Sequence, residues 1–122
     1  MLNIKIRKDE SHMYVYDKVN ELAKAIKESR EYLEYKDLKK VISQDLKLKD
    51  KVDEFEKIRY EEQLLAVQGE KTSAEKMQKL QELYEILVKE PKVKEYFDAE
   101  VRFNLMIADV NKIIGESIKD VL

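Results

Sequence analysis

The chain has 122 residues, 41% of them charged and 43% hydrophobic, with two glycines, one proline, one histidine, no cysteine and a net charge of −2. That length suits one core, and so few turn residues exclude a sheet-rich fold. The missing cysteines exclude disulfides, thiolate metal sites and thiol nucleophiles, and the balanced charge provides no global field for nucleic acid or anionic lipid. No apolar run reaches the roughly 20 residues that span a bilayer, and no secretory leader pattern opens the chain, so a cytoplasmic protein is expected.

In Leu2, Ile4 and Ile6, apolar residues alternate with Asn3, Lys5 and Arg7 in the two-residue period of a strand, although a lone strand has nothing to pair with. Residues 1–12 therefore read as a flexible arm, an edge strand for a partner, or a non-native leader before Met13. The domain proper is expected over residues 13–122.

From Tyr14 the period becomes helical. Val15, Val19, Leu22 and Ile26 form one stripe of a helix ending near Glu28. Ser29 suits the cap of a second segment containing Leu33, Leu38, Val41 and Ile42, unless helix one continues through a bend. Ser43 or Asp45 can cap a third helix whose buried side is supplied by Leu48, Val52, Phe55 and Ile58 and finished by Leu64, Leu65 and Val67, and which stops at Gly69, a residue suited to a left-handed cap. Thr72-Ser73-Ala74-Glu75 matches a capping box with Thr72 as the cap. The fourth helix follows to about Lys89, burying Met77, Leu80, Leu83, Tyr84 and Leu87. Pro91 fits the first turn of a fifth, which Gly115 weakens near its end. The fold class predicted is all-α, an elongated antiparallel bundle of four to five helices that dimerises.

Helix five carries the reason for a dimer. Counted from Lys92 to Ile114 it is about 35 Å long at 1.5 Å per residue, the full diameter of a compact domain of this size. Phe103, Ile107, Val110 and Ile114 form one apolar stripe, and Phe97, Val101, Leu105 and Ala108 form another beside it. Neighbours within one chain can cover one stripe, but two are harder to cover. A self-association or partner surface over Phe97, Val101, Phe103, Leu105, Ile107, Val110 and Ile114 is the expectation, set against a well-covered central helix in a monomer. Asn104 and Asn111 could fix register as buried amides or stand partly exposed. Tyr32, Tyr35, Tyr60 and Tyr96 are read equally as interface anchors and as core at the bundle's ends.

Chemistry finds little purchase. The only histidine, His12, lies in the doubtful leader, and there is no Glu-x-x-His pair, phosphate loop or nucleophile elbow. The acid pairs Glu61 with Glu62 and Asp98 with Glu100 lack the spacing that shares a helix face, and are assigned to solvent. No catalytic residue, metal or cofactor is expected. Lys36, Lys39 and Lys40, preceded by Tyr32 and Tyr35, form a modest basic cluster with aromatics that could contact phosphate and stack bases. Asp37, Asp45, Asp50 and Asp53 dilute it, and a solvated face is the preferred reading.

The run from Val15 to Ser29, then Glu31-Tyr32, Tyr35-Lys36, Phe55 to Gln63, Pro91 to Phe97, and Glu100, Phe103 and Asp109-Val110, resembles the YlbF/YmcA family of small bacterial helical proteins, in particular its YheA-like branch. The resemblance spans Met13 to the C-terminus. It implies an all-helical, dimeric cytoplasmic protein without established enzymatic activity, a regulatory or protein-protein interaction module. Better-known relatives are implicated in complexes affecting competence, sporulation, biofilm formation and RNA processing. Some of those complexes are linked to iron–sulfur clusters, whose thiolate ligands this chain lacks. The alternative function is an RNA-binding or RNA-processing accessory using the Lys36 to Lys51 region.

Overall fold

A computed structural model describes the backbone from residue 2 and the side chains of residues 13–122. The strand expected over residues 2–7 is corrected, since the backbone there is helical and continuous with the first helix, while the side chains of residues 1–12, His12 among them, lie outside the described residues. Five α-helices follow one another: α1 (Leu2–Glu28), α2 (Arg30–Ser43), α3 (Leu46–Val67), α4 (Ala74–Leu87) and α5 (Pro91–Ser117), with a final 3₁₀ turn at Lys119–Val121. There is no strand among the described residues.

The boundaries follow from side-chain chemistry at each end. Ser29 separates α1 from α2: its backbone is extended and its hydroxyl accepts from the Tyr32 amide at 3.2 Å. The two helices are therefore distinct. Asp45, rather than Ser43, caps α3 by accepting from the amides of Lys47 and Leu48. At the other end of α3, Gly69 takes φ +75°, the Glu70 amide reaches back to the Leu65 carbonyl at 2.9 Å, and the Gly69 amide reaches that of Ala66 at 3.2 Å. That pair of bonds is a Schellman closure, and it requires a left-handed residue at this point.

The start of α4 differs from expectation by one residue. Ser73, not Thr72, is the cap, with its side chain accepting from the Lys76 amide. Both hydroxyls are chemically able to cap, so the spacing to Glu75 favoured Thr72 while the path of the loop selected its neighbour. Pro91 opens α5 as its first residue, where no amide hydrogen is needed.

The core lies among α2, α3, α4 and the first half of α5. Ile42, Val52, Phe55, Leu87, Val93, Tyr96 and Phe97 are its buried members, flanked by Tyr35, Leu38, Leu48, Leu80, Leu83 and Val88. The rings of Phe55, Tyr84 and Phe97 lie 5.2 to 6.1 Å apart, centroid to centroid. The most extensive packing is α2 on α5, then α3 on α4. Contacts of Tyr35 with Tyr96, and of Tyr32 with Phe103, set α2 antiparallel to α5. By contrast, α1 packs on α2 alone among these pairs, at the bend where the two meet.

Candidate functional site

Apolar helix faces remain without cover on α1, α3 and α5; that of α3 is formed by Tyr60, Leu64 and Val67, 61%, 41% and 85% exposed. On α1, the stripe predicted from Val15, Val19 and Leu22 exists but is turned to solvent, with Val15 57% and Val19 53% exposed. On α5 the two stripes part ways. Phe103, Ile107 and Val110 are half-buried against their own chain, and cover ends at Ile114. The other stripe is open from Val101 (55% exposed) through Leu105 (59%) to Ala108, while Ile113, 69% exposed, lies on neither stripe. Phe97 was assigned to the interface, and this is corrected: it is a core residue, ringed by Phe55, Tyr84 and Tyr96. Asn104 and Asn111 are exposed, so neither acts as a buried register amide within the chain. Tyr96 is core, Tyr32 and Tyr35 are half-buried, and Tyr60 stays exposed. Met77 and Tyr84, expected inside, are exposed, because α4 is covered by α3 on one side only.

The accessible surface is 10149 Å² for 14.5 kDa. A compact monomer of that mass exposes about 6,900 Å². Even if the first twelve residues are allotted the roughly 2,000 Å² of an extended chain, the remainder exceeds its compact value by about 1,700 Å².

Beneath these faces lies a polar network that periodicity had assigned to solvent. Glu100, 8% exposed, accepts two bonds from the Arg59 guanidinium at 2.7 and 3.0 Å and a third from the Tyr35 hydroxyl at 3.2 Å. The Tyr96 hydroxyl donates to Glu56 at 2.7 Å. Burial, then the bond to Glu56, pushes the Tyr96 phenol well above the ordinary tyrosine range, and burial raises Tyr35 as well. The hydrogen bond to Glu100 raises the Arg59 pKa. Glu62 is also buried, at 5% exposure, and neither carboxylate oxygen has a hydrogen-bond partner among the described residues.

The expectation that Glu62 and Glu100 face water is thus wrong for both. A signal was present: Val93, Tyr96, Phe97 and Glu100 fall at steps of three, one and three, and Val52, Phe55, Arg59 and Glu62 at three, four and three. Each acid sits on a core stripe. Comparing acids only with each other hid this.

The third feature is a cleft of about 220 Å³ between α2 and α5, lined by Tyr32, Tyr35, Lys36, Lys39 and Phe103. Lys36 leans over the Tyr32 ring at 6.0 Å from its centroid, and neither lysine makes an ion pair among the described residues. Lys40 is exposed and does not line the cleft. Nearby, Glu34 bonds Arg30 at 2.7 Å and Arg102 at 3.4 Å, and the bond from Arg30 lowers its carboxyl pKa. Together with Glu31 they line an open cleft of about 400 Å³. Among the described residues no cluster of histidine and acids could hold a metal ion, and no helix is long and apolar enough to cross a membrane.

Sequence comparisons point in one direction. A family model described as control of competence regulator ComK, YlbF/YmcA, matches residues 15–119. A UPF0342 protein of Caldicellulosiruptor bescii is 39% identical over 105 residues, covering 86% of this chain and 88% of that protein. One from Desulfitobacterium hafniense is 37% identical over 110 residues, 90% of this chain and 89% of its own. Another, from Alkalihalophilus pseudofirmus, is 34% identical over 107 residues, with 88% and 91% covered.

Proposed function

Since this chain belongs to the YlbF/YmcA family, we propose that it is a non-catalytic homodimeric module that acts in regulation by binding other proteins in the cytoplasm. The family description concerns control of a competence regulator, which supports a regulatory role. The observation that carries self-association is the surplus of surface. About 1,700 Å² per chain lies within the 1,000–2,500 Å² that each partner buries in an obligate dimer. The uncovered surface includes apolar stripes on α1 and α5, which water does not stabilise.

The arrangement of ionisable groups supports a binding protein over an enzyme. Arg59, Glu100 and Tyr35 satisfy one another, and the Glu34 carboxylate is held between two arginines, so these groups serve structure. Light scattering on the purified chain tests the proposal, with an expected mass near twice 14.5 kDa. A monomer at micromolar concentration would overturn it.

A second reading is favoured by the cleft of Tyr32, Tyr35, Lys36, Lys39 and Phe103, which brings unpaired cations and ring faces together as single-stranded RNA binding requires. RNA binding that weakens steeply with salt and disappears in Lys36→Glu/Lys39→Glu supports it. Binding untouched by those changes excludes the cleft.

A further inference from the structure

The chain leaves two helix faces bare at the same end of its core. α1 departs from the start of α2 at Ser29, and α5 passes that level near Phe103, which touches Tyr32. Beyond that level each helix continues for several turns. From Met13 to Glu28, α1 extends about 24 Å, and α5 from Asn104 to Ser117 about 21 Å, at 1.5 Å per residue. Each helix carries an apolar stripe left open by its own chain, that of α5 starting at Val101 just before this level. Val15, Val19 and Leu22 are exposed on one, and Val101, Leu105 and Ala108 on the other.

We propose that these two faces cover each other between copies, so that α1 of one chain lies along the Val101–Ala108 face of α5 in a second chain, and reciprocally. This rests on the homodimer reading and names its contact. Three observations favour a second copy as the occupant. The surplus area matches what each partner of a stable dimer buries. The two bare stripes have similar length and the same aliphatic character. A two-fold arrangement also covers all four stripes at once, as an isologous interface requires. The one-residue break at Ser29 supplies the joint through which α1 turns away from its own core and toward the partner.

The absence of cysteine gives a clean test. Single cysteines are placed at Val15, Val19 or Leu22 in one full-length chain, and at Val101, Leu105 or Ala108 in another carrying a different tag. Each α1 variant is mixed with each α5 variant, the mixture is dissociated and reassembled, and then it is mildly oxidised. The expected result is a disulfide-linked dimer bearing both tags for at least one pair, formed in higher yield than links between identical sites.

Val19→Asp and Leu105→Asp should each weaken dimerisation by at least about tenfold while helical content is kept, because a charge would be buried without a partner. A double-mass species that links only identical sites, or that links α1 to α5 only within one chain when both cysteines are present, overturns the exchange and leaves the dimer standing. A monomer overturns the exchange and the dimer together.

Discussion

Tyr96 offers a quantitative test of the buried polar network through alkaline pH. It is 2% exposed and its hydroxyl donates to Glu56 at 2.7 Å, so the folded chain holds the phenol neutral well above the pH at which an unfolded tyrosine ionises, near 10. Above that pH the unfolded state loses a proton that the folded state keeps. Stability contributed by the neutral phenol is therefore fully present below pH 10 and declines as pH rises, by about 1.4 kcal/mol at pH 11. Tyr96→Phe removes this titration. At pH 7 the variant also loses one hydrogen bond to a carboxylate, a cost of about 1–2 kcal/mol. Urea unfolding of both chains at equal protomer concentration from pH 7 to 11 should show that gap narrowing by about 1.4 kcal/mol by pH 11. Lysine titrations are common to both chains and cancel in the difference. A gap constant across pH 8–11 would refute the reasoning, since Tyr96 would then ionise alike in both states.

Three further substitutions probe the same structure. Arg59→Met leaves Glu100 with only the Tyr35 hydroxyl and should cost about 2–3 kcal/mol, less than for a fully buried pair because the Arg59 side chain is 31% exposed. Adding Glu100→Met should recover most of that loss in the same urea titration. Glu62→Leu removes a buried carboxylate without a partner and should raise the unfolding free energy by about 1–3 kcal/mol. A loss of stability there would mean that Glu62 gains a partner on association. Ser73→Ala should cost about 0.5–1 kcal/mol, since its bond to the Lys76 amide is long at 3.4 Å, whereas Thr72→Ala should stay within about 0.5 kcal/mol in thermal unfolding.

Much of the helical layout was legible because its determinants are local. Ser29, Asp45, Gly69 and Pro91 act on backbone groups within a few residues of themselves, and each sits where its chemistry predicts. The choice between Thr72 and Ser73 was not legible, because two adjacent hydroxyls compete and the loop before α4 decides. The apolar stripes were legible as well, but periodicity states only that a face is apolar, never what covers it. Val19 and Phe97 have equally good periodic credentials, yet one is exposed and the other is core.

What the sequence determined by itself is the class of fold, most of the helix ends and the apolar stripes, all of which depend on residue type and spacing along one chain. The tertiary structure alone decided which stripe is spent inside the molecule. It placed Glu100 between Arg59 and Tyr35, residues 41 and 65 positions away in the chain. It also brought Lys36 and Lys39 beside Phe103 at the rim of an aromatic cleft. The physical reason is range: caps and periods act over a few residues, whereas burial and charge pairing depend on how the helices lie against one another.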